Sequence, residues 1–257
     1  MKKYMQELLT VGANISMRDQ LREAREYAIN DAEGYDQLLF AFERLGCALK
    51  KEIGTLKDYE GVILALAGES NLAKRIPKQW RECHTPASHL YDAVRVARND
   101  ALHQGAFARH LTAHAIQLEI ILEDALMNRA TTVGDFMVRN PVCAQMWQPI
   151  SFIRQQMLAN SFSYLPVLKQ DDRWYFVSDL RIAQYLRAKA SERNERLAQS
   201  LSDAATHNNA LLNEAKCYPA ETAIDEILPD FSAVPILVCR RDEPKDLLGI
   251  LTVFDLL

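Results

Sequence analysis

Arg98 and His103 stand five residues apart in the run Arg98-Asn99-Asp100-Ala101-Leu102-His103-Gln104-Gly105. An imidazole exchanges protons near neutral pH, and a guanidinium clamps a phosphate with its fork of donors. Such a pair supports metal-independent RNA cleavage. His103 would serve as general base or acid, Arg98 would stabilise charge on the phosphorane, and Asn99 would orient the scissile group or the imidazole. The plainer roles for the same residues are a helix-terminal histidine favoured by the dipole and a surface or interchain salt bridge. Upstream, Lys74, Arg75, Lys78 and Arg81 surround Trp80. That combination suits a grip on a single-stranded backbone with a base stacked on the indole, or else a solvated loop with one tucked aromatic.

A second chemical pair closes the chain. Thr252 and Asp255 put a hydroxyl and a carboxylate three residues apart after the apolar run Leu248-Gly249-Ile250-Leu251. At a strand-to-helix turn these groups reach a phosphate and a ribose hydroxyl together, beside a helix N-terminus that favours anions. Alternatively, Thr252 simply caps the last helix.

The elements that must carry these residues fall into two classes. From Met17 to about Met127, apolar residues recur at spacings of three and four, as in Leu38-Leu39-Ala41-Phe42-Leu45 and Ile116-Leu118-Ile120-Leu122-Leu126. Breaks at 31–34, 54–57, Pro77, Thr85-Pro86 and Gln104-Gly105 leave four or five helices, an all-α bundle. Beyond Ala130, seven prolines and short apolar runs alternate with helical stretches, which predicts an α/β unit. A multidomain chain follows, with an all-α bundle over 1–130 and an α/β unit over 131–257, as its length of 257 residues also suggests.

Composition narrows the functional classes. A net charge of -4 argues against coating nucleic acid or anionic membrane by bulk charge, while leaving room for a local basic site. No run approaches a membrane span, and Met1-Lys2-Lys3 leads into a mixed polar segment, so a cytoplasmic location is expected. Five cysteines (Cys47, Cys83, Cys143, Cys217, Cys239) without Cys-x-x-Cys spacing read as reduced and mostly buried. His103, His110 and His114 follow spacings of seven and four, but no carboxylate or cysteine completes a ligand set. No metal is expected, and interfacial packing explains the stripe.

The α/β unit repeats itself. Residues 149–158 leading to Phe162-Ser163-Tyr164-Leu165-Pro166-Val167 align with 221–228 leading to Phe231-Ser232-Ala233-Val234-Pro235-Ile236, each a helix followed by a strand entered through proline. A polar, Ala-rich stretch over 189–210 separates the halves, 131–188 and 211–257, and its charge spacing predicts a solvated connecting helix. The entry Val133-Gly134-Asp135-Phe136-Met137-Val138-Arg139-Asn140-Pro141, the two apolar-Pro-apolar strands and the closing Gly249-Ile250-Leu251-Thr252-x-x-Asp255 resemble a tandem CBS pair, or Bateman module. That resemblance covers about half the chain and implies a regulatory unit that binds an adenine nucleotide (AMP, ADP, ATP or an adenosyl compound) through Val234, Pro235, Thr252 and Asp255. The first half departs from the pattern. Ser178-Asp179-Leu180-Arg181 puts arginine at the position of the ribose-binding carboxylate, so Ser178 and Arg181 would form an altered site, or Arg181 would reach a neighbouring phosphate or remain a surface charge.

In the helical half, arginine, four intervening residues and histidine in an all-α context resemble the signature of HEPN domains. On one ideal helix, five residues turn about 500°, which sets Arg98 and His103 roughly 140° apart. Either Gly105 ends the helix in a left-handed cap that distorts its last turn, or two chains share the site across a symmetric interface. The resemblance implies the second arrangement, and with it a homodimer. Together the two resemblances imply an adenine-nucleotide-regulated endoribonuclease of HEPN type, acting on RNA without a catalytic cofactor. The alternative is a non-enzymatic nucleotide sensor whose bundle serves dimerisation or partner docking.

Overall fold

The structure is a computed structural model that describes residues 10–31, 34–75, 85–100 and 105–256, without side chains at 11, 74–75, 97–100, 105–110 and 230. The chain divides into two compact units, Met1–Ala130 and Thr131–Leu257, each with its own core.

In the first unit the described residues form α1 (Val11–Asn30), α2 (Tyr35–Lys50), α3 (Leu56–Ala67), α4 (Asn71–Arg75), α5 (Ala87–Asp100) and α6 (Gly105–Met127). Caps mark two of the helix starts, and α1 begins at Val11, ahead of the Met17 at which the sequence pattern opens. The Thr10 hydroxyl accepts from the Ala13 N–H at 3.3 Å, and Asp58 accepts from both the N–H and the hydroxyl of Thr55 at 2.8 Å, closing a capping box on α3. The buried face of α2 runs Leu38, Leu39, Phe42, Leu45, Leu49, the spacing that a helical stripe requires. Gly46 extends that stripe because a Cβ there would overlap the Tyr59 ring of α3. Gly105, a C-terminal cap in one of the two arrangements that the Arg98 to His103 spacing allows, is the first described residue of α6. The described part of α5 ends at Asp100.

An ion network joins α1 to α6. Arg25 Nη1 donates to Glu119 Oε2 at 2.6 Å and to Glu123 Oε2 at 2.7 Å, and Arg22 pairs with Glu123. The Glu119 side chain is fully buried, and among the described residues its Oε1 has no hydrogen-bond partner. Burial pushes its pKa up, Arg25 pulls it back and Glu123 adds to the rise, leaving it raised to about 8.

The second unit holds α7 (Val133–Phe136), β1 (Val138–Arg139), α8 (Ile150–Asn160), β2 (Tyr164–Leu168), β3 (Trp174–Ser178), α9 (Asp179–Tyr185), α10 (Ala190–Ala198), α11 (Leu201–His207), β4 (Leu212–Glu214), β5 (Cys217–Pro219), α12 (Ile224–Ile227), β6 (Ile236–Arg240) and β7 (Glu243–Leu251). The strands form two sheets, β2-β3-β4 and β1-β7-β6-β5. Each repeat contributes its own antiparallel hairpin, β2-β3 or β6-β7, and takes its outer strand from the other repeat. β1 pairs antiparallel with β7 (Val138 opposite Ile250), while β4 pairs antiparallel with β3 (Asn213 opposite Phe176). The parallel partners match as well: Ala144 bridges Val167, and β5 runs parallel to β6. Trp174, Phe176, Leu237 and Cys239 are buried together in a seam between the two hairpins, and the Trp174 indole N–H donates to the Pro244 carbonyl at 3.0 Å.

Two expectations change here. Residues 189–210 form two helices, and only α10 has no buried residue. Leu201 and Ala204 of α11 are fully buried with Ile150, Ile153 and Leu165 in the core of the first repeat. The Leu201 and Ser202 N–H groups donate to the carbonyls of Gln148 and Met146, both at 2.8 Å. The alternating charges of α10 masked this change of character at Ser200. Proline also sits differently in the two halves. Pro235 directly precedes β6, whereas Pro166 is the third residue of β2, where it needs no N–H of its own and its carbonyl accepts from Ala144 at 2.9 Å.

Candidate functional site

Each repeat ends its hairpin at a polar residue that starts a helical turn. At the end of β3, Ser178 is extended and buried, and its hydroxyl accepts from the Arg181 N–H at 3.3 Å, an N-cap on α9. The Arg181 guanidinium turns to Gln184 at 3.3 Å on the same helix. Ser178 and Arg181 therefore meet through the backbone of the turn, and each has a local structural task.

The turn after β7 is built differently. Both the N–H and the hydroxyl of Thr252 donate to Asp255 Oδ2, each at 2.8 Å, and the Asp255 N–H donates back to the Thr252 carbonyl at 3.2 Å. Asp255 is 7% exposed, in the 3₁₀ turn Val253–Leu256. The sequence pairing of these two residues is thus a direct contact. Capping takes place with the carboxylate as acceptor, and the Thr252 hydroxyl spends its proton on Asp255. A hydroxyl in that state retains acceptor capacity but has no hydrogen left for a phosphate.

Val234 is half-buried against the inter-hairpin seam, and its N–H donates to the Ser232 hydroxyl at 3.2 Å. Pro235 is buried at the entrance to β6. Beside this turn, the entry segment of the unit packs on the second repeat: the Val133 N–H donates to Thr222 O and the Gly134 N–H to Ala220 O, both at 2.8 Å. A Cβ on Gly134 would come within 3.0 Å of the Ala220 carbonyl, so glycine permits the close approach.

The side chains of Arg98 and Asn99, at the end of α5, lie outside the described residues, as do all of His103, Lys78, Trp80 and Arg81 and the side chains of Lys74 and Arg75. Of the histidine stripe, His114 is half-buried on α6, while the side chain of His110 and the whole of His103 fall outside. Among the described residues no three His, Cys, Asp or Glu side chains are gathered as a metal site would need, and no helix is long and apolar enough to cross a membrane. The cysteines differ from expectation. Cys239 is buried, Cys47 and Cys143 are half-buried, and Cys217 is exposed because β5 is an edge strand; Cys83 lies outside the described residues.

Two features went unread in the sequence. One is the Arg22, Arg25, Glu119, Glu123 network, whose signal was two carboxylates four residues apart on an apolar helix, an arrangement that demands a facing cation. The other is the exchange of outer strands, for which two-residue β1 left no periodicity to read.

No family model matches the sequence, and the search of curated proteins gives no match. Solved structures are similar over about half the chain. An acetoin utilization protein (AcuB) from Vibrio cholerae is 15% identical over 49% of this chain and 86% of its own, with a TM-score of 0.39. A CBS domain-containing protein from Bacillus anthracis is 16% identical over 48% and 88%, with a TM-score of 0.40. CBSX2, solved in complex with AMP, is 18% identical over 48% and 91%, with a TM-score of 0.36.

Proposed function

We propose that the α/β unit is a tandem CBS pair that binds an adenine nucleotide in its second repeat, and that the chain is an adenine-nucleotide-regulated protein. The observation that supports this reading is the Thr252–Asp255 pair, a hydroxyl locked on a buried carboxylate at the mouth of a hairpin. A ribose diol donates to a carboxylate. Once a diol engages Asp255, the Thr252 hydroxyl is released to rotate and donate to a phosphate, so one exchange of hydrogen bonds recognises both parts of a nucleotide. The first repeat offers Ser178 and Arg181 in place of this pair and is read as a phosphate contact or a vestigial site.

Titration calorimetry with AMP, ADP, ATP and adenosyl compounds tests the reading. Asp255→Ala should abolish binding, and Thr252→Val should weaken ligands that carry a phosphate more than adenosine itself. Equal affinities in wild type and Asp255→Ala would overturn the assignment.

The helical unit is read as the responding part, a metal-independent endoribonuclease of HEPN type that works as a homodimer. This part rests on the Arg98 to His103 spacing, with Asn99 between them and the Lys74, Arg75, Lys78, Trp80, Arg81 tract as the grip on RNA. Incubating the purified chain with mixed RNA, beside Arg98→Ala and His103→Ala, separates it from a non-enzymatic sensor. Cleavage by the wild type alone supports the nuclease, and equal behaviour of all three removes it.

A further inference from the structure

The parallel register of β5 and β6 sets Cys217 opposite Leu237 and Pro219 opposite Cys239. Since alternate residues of a strand share a face, both cysteines lie on the face that holds Leu237 and the inter-hairpin seam, diagonal to one another. The β6–β7 register slips on either side of Cys239 with the extra residues on β7, so Cys239 keeps its place in the alternation of β6. The two thiols are close enough for each to perturb the other's titration. Cys217 is the first residue of a three-residue edge strand and is exposed, so a reagent can reach it and its backbone can yield; Cys239 is buried behind it. We propose that Cys217 and Cys239 form a redox-active dithiol, in which Cys217 meets small-molecule disulfides and Cys239 resolves the adduct.

The interaction with Cys239 holds the exposed Cys217 thiol below its ordinary range, while the same interaction and burial push Cys239 well up. The roles follow from access: Cys217 is exposed and meets the reagent, Cys239 is buried behind it, and in each step the thiolate is the nucleophile. Cys217 gives up its proton and attacks one sulfur of a disulfide RS–SR, forming Cys217–S–SR and expelling RS⁻, which takes the proton. The sulfur of Cys239 then attacks Cys217 Sγ, forming the Cys217–Cys239 bond. The second RS⁻ leaves with the Cys239 proton, so the chain loses two hydrogens and RS–SR becomes two RSH. The exchange needs no nucleotide and stands apart from the function proposed above.

The full chain, reduced and then exposed to oxidised glutathione near neutral pH, tests the proposal by intact mass and non-reducing peptide mapping of all five cysteines. Wild type should lose two hydrogens, retain no glutathione and yield a peptide linking Cys217 to Cys239, reversed by dithiothreitol. Cys239→Ser should retain one glutathione on Cys217, and Cys217→Ser should leave Cys239 a free thiol. In unmodified wild type, where folding is not in question, iodoacetamide should label Cys217 about tenfold faster than Cys143. A stable glutathione adduct on wild-type Cys217, a linkage through another cysteine, or equal labelling of Cys217 and Cys143 would overturn it.

Discussion

Glu119 carries a cost that depends on pH. Its folded carboxyl is raised from 4.5 to about 8, so between those values the folded chain holds a proton that the unfolded chain has released. Stability therefore falls as pH rises through that window and levels off above it, because the folded state binds more protons. Denaturant melts between pH 5 and pH 9 should show this slope, and Glu119→Gln should flatten it. A slope that survives in the glutamine variant would assign the effect elsewhere. At this scale the sequence was informative where residues act within one turn: Thr252 and Asp255, three apart, are a bonded pair. Across helices it told less: Glu119 and Glu123 call for a facing cation, but nothing local names Arg25 as its source.

Single helices and strands offer sharper tests of packing. Leu201→Ala in α11 should destabilise the α/β unit by about 2–5 kcal/mol, as removal of a fully buried leucine does, though 189–210 looks like a connector. Substituting Glu195 on exposed α10 should change little. Gly249 lies opposite Arg139 in the pairing of β1 with β7, and a Cβ there would approach the Val138 carbonyl at 2.7 Å and Met137 Cγ at 2.8 Å. Gly249→Ala should cost about 1–3 kcal/mol by overpacking, and chemical denaturation would measure all three variants. The helices of the first unit were legible because an apolar stripe repeats over 12 to 23 residues in α2, α3, α5 and α6. The four-residue α12 was legible only through its alignment with the helix of the first repeat, and two-residue β1 is too short for any period to develop, so only its tertiary neighbours define it.

For the whole molecule, the decisive fact is that the two units bury separate cores. Calorimetric unfolding should resolve two transitions, and an adenine nucleotide at 100 times its Kd should stabilise the α/β transition by about 2.7 kcal/mol. A ligand-induced shift confined to the other transition would contradict the site assigned to Thr252 and Asp255. The division into an all-α and an α/β part was readable from proline usage and periodicity. The trading of β1 and β4 between repeats was not, because a repeat in sequence suggests two self-contained halves while the pairing makes each depend on the other.

That dependence sets a clock on the ribosome. Val138 leaves the exit tunnel more than a hundred residues ahead of Ile250, its opposite number in the finished sheet. At about 5–20 residues per second, β1 waits roughly 6 to 20 s without its neighbour. A stalled or prematurely terminated nascent chain would therefore display an orphan strand to chaperones, and translation speed over the last repeat should govern how much soluble protein a cell recovers.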